Sequence, residues 1–248
     1  MQAKDNWRVP PNHLTLPVDE VHVWRASMDV STSDLAVFRS VLSEDEIQRA
    51  ERFHFQRHCN HSIVSRGLLR TLLGRYLAMD PAALRFSYGR YGKPGLADGY
   101  NDGGSLRFNL SHSNERVLYA ITYDMDVGID IEFLHRSVKM EPVICWNCSE
   151  REKEDLQTVP TNLRRRAFFN CWTRKEAYVK ARGDGLAAHM NNISVSLLPG
   201  QPTLLLETEA GEEEATRWLL KEIKPGAGYV ACLAIVGHGW QVRKWKLR

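Results

Sequence analysis

One pattern occurs twice in this chain and limits what it can fold into. The apolar run Val117–Tyr123 is followed by the turn Asp124-Met125-Asp126, then by a strand in which Val127, Ile129 and Ile131 alternate with Gly128, Asp130 and Glu132. About 112 positions later, Tyr229–Val236 leads through Gly237-His238-Gly239 into Trp240–Lys246. Alternation with a period of two marks a strand with one buried face, and recurrence at a fixed offset marks duplication. The chain is therefore expected to be α+β, with two similar lobes related by pseudo-twofold symmetry. The expected division is an N-terminal extension over 1–20, one lobe over 21–125 and a second over 126–248. The second copy of the pattern has no carboxylates, so any metal site on Asp130 and Glu132 would be single and belong to the junction.

The remaining signals are consistent with this division. Ser43 followed by Glu46 is a capping box, which starts a helix at about Glu44 that runs into the His54 region. Val64, Leu68, Leu69, Leu72, Leu73 and Tyr76 recur at helical spacing, with Arg66 and Arg70 on another face. Thr161–Arg182 reads as one helix stopped by Gly183. Val21–Arg25 and Leu106–Leu110 read as strands, Ser111–Asn114 and Ser87–Gly95 as turns, and residues 1–17, with three prolines, as an irregular arm.

A hydrophobic content of 43% in 248 residues is enough for a real core and argues against disorder. The longest apolar stretch, Val230–Val236, is far short of the roughly 18 residues of a membrane span. Met1–Asn6 lacks the apolar run of a secretory signal. A cytoplasmic protein is expected, with no membrane partner. Five scattered cysteines fit reduced thiols, and Cys145 and Cys148 have no second pair at zinc-ligand spacing. The net charge is only +3, but Arg49, Arg52, Arg57, Arg66, Arg70 and Arg75 crowd one stretch and suggest an anionic partner. His54, His58 and His61 share a helical face without an acidic partner nearby in sequence, which suits phosphate contact better than metal.

Two carboxylates at alternate strand positions share a face, with Cα atoms roughly 6.5–7 Å apart. Asp130 and Glu132 could thus hold a hard dication such as Mg²⁺, or form the solvated acidic face of an edge strand. Trp172, Glu176 and Lys180 share a helix face at i, i+4, i+8. Glu176 could add a third carboxylate and Lys180 could reach a phosphate oxygen, or the two could be an ordinary surface pair.

Val127-Gly128-Ile129-Asp130-Ile131-Glu132 and Trp172-Thr173-Arg174-Lys175-Glu176-Ala177-Tyr178-Val179-Lys180 together resemble the two signatures of 4′-phosphopantetheinyl transferases. Asn109-Leu110-Ser111-His112-Ser113 and Tyr91-Gly92-Lys93-Pro94 are similar to two further segments of that family. The resemblance spans roughly residues 36–236 and points to the larger, Sfp-type members, with the active site at the lobe interface. It implies that the phosphopantetheine of coenzyme A is moved to a serine of an apo acyl or peptidyl carrier protein of fatty acid, polyketide or nonribosomal peptide synthesis. It also implies that the enzyme works as a monomer with no nucleic-acid partner. By the same resemblance, Asp130, Glu132 and Glu176 would bind Mg²⁺. Glu176, Lys180 and His112 would act in catalysis, with Glu176 as base. Lys93, Ser111, His112, Lys175 and Lys180 would contact coenzyme A near its diphosphate, and Arg49, Arg52, His61 and Arg66 its 3′-phosphate end.

Two rival readings use the same residues. A metal-dependent nuclease or phosphodiesterase would need an activated water. A non-catalytic module binding anions or nucleic acid through the arginines would be opposed by carboxylates facing its ligand.

Overall fold

The computed structural model describes residues 7–97, 105–183, 185 and 189–247. The first six residues of the expected extension lie outside them. The fold opens with β1 (Glu20–Ser27), α1 (Thr32–Ser40), α2 (Glu44–Glu51) and the long α3 (Gln56–Leu77). A small hairpin follows, β2 (Phe86–Tyr88) and β3 (Pro94–Leu96), then β4 (Leu106–Ser113), β5 (Arg116–Tyr123) and β6 (Val127–Phe133). Next come α4 (Met140–Asn147), α5 (Glu150–Thr158), the long α6 (Thr161–Arg182), β7 (Ser194–Val195), β8 (Leu205–Glu207) and α7 (Glu212–Thr216). The chain ends in β9 (Trp218–Ile223), β10 (Tyr229–Val236) and β11 (Gln241–Lys246). No helix among the described residues is long and apolar enough to cross a membrane.

Two sheets lie face to face between two long helices. One has the strand order β11-β1-β5-β4, the other β6-β10-β9. Strand parity sorts the side chains into layers. Val21, Val23, Leu118, Ala120, Ile129, Ile131, Leu233 and Ile235 meet between the sheets. Trp24, Tyr119 and Ile121 face Val64, Leu68, Leu69 and Leu72 of α3. Val230, Cys232 and Ala234 pack with Ala177, Tyr178 and Ala181 of α6. Each of the two repeated turns carries the chain from one sheet to the other. After β5 in the first sheet comes β6 in the second, and after β10 in the second comes β11, which pairs in parallel with β1. The last strand thus lies across the expected 125/126 boundary, hydrogen-bonded into the first sheet.

Several elements differ from expectation. The helix begun at Glu44 ends at Glu51, and His54 lies in the link before α3 rather than on a helical face with His58 and His61. The capping box at Ser43 and Glu46 is formed. Helix α1 fully buries no side chain and packs only the half-buried Leu35 and Phe38 on the core, too short a stripe to mark it in the sequence; Ser31 caps it by accepting from Asp34 N. Ser111–Ser113 completes β4 instead of turning, because the reversal is made by Asn114 in the left-handed conformation (φ 51°).

Candidate active site

Strand β6 gives its odd-numbered side chains to the core between the sheets, so Asp130 and Glu132 project to the α6 side. Gly128 brings the helix close. A Cβ there would lie 1.9 Å from Ala177 O and 2.4 Å from Ala181 N. The helix residues just before each of these two positions are Glu176 and Lys180, which are thereby laid over the strand carboxylates.

Strands β4 and β6 are edges of different sheets and share no backbone ladder. Side chains supply one instead. Asn109 Oδ1 accepts from Ile129 N at 2.9 Å, Ser111 Oγ from Ile131 N at 3.4 Å and Ser113 Oγ from Phe133 N at 3.0 Å. The two serine hydroxyls also donate, Ser111 to Asp130 Oδ1 at 2.8 Å and Ser113 to Glu132 Oε2 at 2.7 Å. The Asn-x-Ser-x-Ser spacing thus closes the seam between the sheets and orients both carboxylates.

Around this seam the charges are tightly arranged. Lys180 Nζ donates to Asp130 Oδ1 at 2.6 Å and to Ser111 Oγ at 3.0 Å. Arg136 donates to Glu132 Oε1 at 2.6 Å. Asp130 Oδ2 is buried without a hydrogen-bond partner. Exposures of 4%, 7% and 9% for Asp130, Glu132 and Glu176 rule out a solvated acidic face. Burial pushes the Glu176 carboxyl up to about 7, with Asp130 and Glu132 adding to the rise and Lys180 opposing it. Among the described residues, the three metal-capable side chains gathered within 4.8 Å are Cys148, Glu152 and Cys171. The oxygens of Asp130, Glu132 and Glu176 stand further apart, with the Lys180 ammonium against the first.

A cavity opens at each end of the seam. At the Ser113 end, about 420 Å³ is lined by Phe53, Arg57, His58, His61, His112, Asn114 and Arg136. The exposed His112 ring reaches water at its mouth, yet desolvation by the surrounding protein holds its pKa below the usual histidine range, as do the Lys180 and His61 charges. His61 Nε2 donates to Asp29 Oδ1 at 2.9 Å, and Arg57 pairs with Glu115 at 3.1 Å. The histidine cluster therefore does have an acidic partner, supplied by the turn after β1. At the Asn109 end, about 260 Å³ is lined by Tyr91, Lys93, Leu110, Glu176, Val179 and Lys180. Lys93 donates to Ala181 O at 2.8 Å, at the end of α6, and burial lowers its pKa.

Four residues expected at coenzyme A fall elsewhere. Lys175 is not at the site, because it precedes Glu176 by one residue and so points about 100° around the helix. The residue is 1% exposed, and its ammonium pairs with Glu152 and donates to Asn147 O and Met190 O at 2.8 and 2.9 Å. Arg49 pairs with Asp45 at 3.2 Å and stacks on Tyr88, and Arg66 donates to Tyr88 Oη at 2.9 Å and pairs with Glu46 at 3.4 Å. Arg52 is exposed, and none of these three arginines lines either cavity. Arg57 and His58 line the larger cavity instead; they precede His61 by one helical turn, a spacing from which they could be found. Arg136 lies beyond the end of a strand and leaves no periodic signal.

Comparison with known proteins finds relatives along most of the chain. Residues 126–234 match the 4′-phosphopantetheinyl transferase superfamily, and residues 23–123 match a family described as 4′-phosphopantetheinyl transferase, N-terminal. The 4′-phosphopantetheinyl transferase HetI of Nostoc sp. is 39% identical over 96% of this chain and 97% of its own length. The transferase Sfp of Bacillus subtilis is 28% identical over 64% of this chain and 68% of its own. The mouse L-aminoadipate-semialdehyde dehydrogenase-phosphopantetheinyl transferase is 26% identical over 81% and 69%. The solved holo-[acyl-carrier-protein] synthase of Thermotoga maritima aligns with a TM-score of 0.34 and 20% identity over 46% of this chain and 64% of that one. A relative this similar over nearly the whole length leaves one assignment: this chain belongs to the 4′-phosphopantetheinyl transferase superfamily, enzymes that move the 4′-phosphopantetheine of coenzyme A onto carrier proteins.

Proposed function

We propose that the seam between β4 and β6 is the reaction centre and that Asp130, Glu132 and Glu176 hold Mg²⁺ there. The observation that carries this reading is the orphaned, buried Oδ2 of Asp130 beside a Glu176 carboxyl driven up to about 7. An all-oxygen donor set with a surplus of negative charge suits a hard dication. When bound, Mg²⁺ would neutralise diphosphate charge as a Lewis acid.

The chain's own residues account for the rest. Arg57, His58, His61, His112 and Arg136 form a cationic, aromatic-edged cavity suited to the adenosine 3′,5′-bisphosphate end of coenzyme A. The less polar cavity beside Tyr91, Leu110 and Val179 suits the pantetheine arm. The diphosphate would then span the seam, within reach of Lys180 and His112. The acceptor serine oxygen attacks the phosphorus that carries pantetheine, the P–O bond to the adenosine bisphosphate breaks, and Glu176 accepts the serine proton. Glu176 lines the arm cavity beside Lys180, which places its carboxylate where the serine hydroxyl would approach. Lys180, leaving Asp130 for phosphate, offsets charge on the leaving group.

The test is to incubate the protein with coenzyme A, Mg²⁺ and an apo carrier protein and to weigh the carrier. A gain of one phosphopantetheine that is abolished in excess chelator is expected. Transfer that persists in chelator would overturn the metal assignment.

A further inference from the structure

The face of α6 turned away from the reaction centre holds a second reactive cluster. Cys171 Sγ lies 3.9 Å from the Sγ of Cys148, the residue that caps the end of α4. Both thiols are buried, at 2% and 4% exposure. Cys145 lies three residues before Cys148, in the last turn of α4, and is exposed. Lys175 reaches the same place, donating to Asn147 O immediately before Cys148 and pairing with Glu152. Glu152 completes a three-ligand gathering with the two thiols, but a metal is disfavoured there. Its Oε1 accepts from Val195 N and its Oε2 from Ser149 N, each at 2.8 Å, and the Lys175 ammonium already brings a positive charge.

We propose that Cys145, Cys148 and Cys171 form a thiol relay that converts Cys148 and Cys171 into a reversible disulfide when the exposed Cys145 meets a hydroperoxide. In the first step the Cys145 sulfur attacks hydrogen peroxide, an S–O bond forms, the O–O bond breaks, and water leaves a sulfenic acid behind. Cys148 then attacks that sulfur, its proton departs with the hydroxyl as a second water, and a Cys145–Cys148 disulfide forms. Finally Cys171 attacks the Cys148 sulfur, and Cys145 leaves as a thiolate that takes up the proton Cys171 gives up. Two thiols and one peroxide become one disulfide and two waters. The pair is placed for the exchange: the two sulfurs lie 3.9 Å apart, and the contact with Cys171 lowers the pKa of Cys148, the first of the two to attack. The link would tie the end of α4 to α6 five residues before Glu176.

The experiment treats the full chain with hydrogen peroxide, blocks free thiols and maps unreduced peptides. The expected product is a Cys148–Cys171 link, reversed by dithiothreitol, with the melting temperature raised by several degrees. Cys145→Ser should slow its formation at least ~10-fold, since the buried pair no longer has an exposed entry point. Cys171→Ala should stop the relay at Cys145–Cys148. Oxidation confined to Cys145, or a link formed as fast in Cys145→Ser as in wild type, would overturn the relay. So would Zn²⁺ binding that protects Cys148 and Cys171 from alkylation in the reduced protein, because the cluster would then be a metal site.

Discussion

Strand β6 passes α6 so closely at Gly128 that a Cβ on that residue would stand 1.9 Å from the carbonyl oxygen of Ala177. The obstruction is backbone, which cannot turn aside as a side chain can. Gly128→Ala must therefore push the helix off the strand and separate Glu176 and Lys180 from Asp130. The expected cost is ~3 kcal/mol or more, at the upper end of overpacking effects. Urea denaturation measures it. Gly95→Ala, where the new Cβ meets Ser87 Oγ at an ordinary 3.7 Å, serves as the control and should be near neutral.

The pKa of Glu176 has an unusual consequence for stability. Its folded value of about 7 lies above the ordinary 4.5, so between these limits the native state holds a proton that the unfolded state has released. Stability from this group is therefore full below about 4.5 and is lost as pH rises to about 7, opposite to a salt-bridged carboxylate. Glu176→Gln, which stays neutral, should match wild type at about pH 4 in chelator and exceed it above about pH 7 by up to about 3 kcal/mol. Thermal melts across that range check the sign, and a variant advantage that shrank with rising pH would contradict it.

Periodicity makes much of this site legible. Asp130 and Glu132 alternate with apolar residues, Glu176 and Lys180 are one helical turn apart, and local rules suffice to put each pair on one face. That both pairs face each other follows from Gly128, whose role depends on the distance to a helix some fifty residues away and cannot be read from its neighbours. The family motif carried over residue by residue does not show that Lys175 faces away from the seam, since the helix turns about 100° between Lys175 and Glu176. Charge alone does not show that Arg49 is engaged by Tyr88 and Arg66 by Glu46, partners that lie on other elements. The β4–β6 seam shows in the sequence as the alternate polar positions Asn109, Ser111 and Ser113, but their partners on β6 cannot be read from it, since side chains there replace a backbone ladder.

Lys175 should prove structural. Replacing it with Met leaves Glu152, which is 0% exposed, as an uncompensated buried charge and should cost about 3–5 kcal/mol. Adding Glu152→Gln should recover part of that stability. Activity per folded molecule should change little, measured as kcat on protein shown to be folded by circular dichroism. A large fall in kcat with unchanged stability would return Lys175 to the reaction centre.

The cavity residues divide the arginines into two groups. Arg57→Ala and His61→Ala should raise KM for coenzyme A about 10-fold, the scale of removing one charge-assisted hydrogen bond. Arg49→Ala, whose side chain is committed to Asp45 and Tyr88, should stay near wild type. Dephospho-coenzyme A should show the raised KM with wild type and little further change with Arg57→Ala. An Arg49 variant with weakened affinity, beside an Arg57→Ala variant that kept it, would relocate the phosphate.

Asp130, Glu176 and Lys180 share one cluster, yet their replacements should separate. Asp130→Ala and Glu176→Ala should each lower kcat at least ~10²-fold, the scale of removing one preorganised electrostatic interaction with a transition state. Their apo stabilities should diverge. Asp130 accepts from Lys180 at 2.6 Å and from Ser111 at 2.8 Å, so its removal strands two donors and lowers the melting temperature. Glu176 is a carboxyl kept at an unfavourable pKa by burial and by its acidic neighbours, so its removal should raise the melting temperature at about pH 8. In both variants the added stability that Mg²⁺ with coenzyme A gives wild type should shrink. Lys180→Ala should behave differently, because its ammonium opposes a dication at Asp130: Mg²⁺ binding by calorimetry should hold or tighten while turnover falls. Wild-type carrier modification by Asp130→Ala or Glu176→Ala in saturating coenzyme A would refute the carboxylate assignment, and Mg²⁺ affinity abolished on removing Lys180 would refute the competition between lysine and metal.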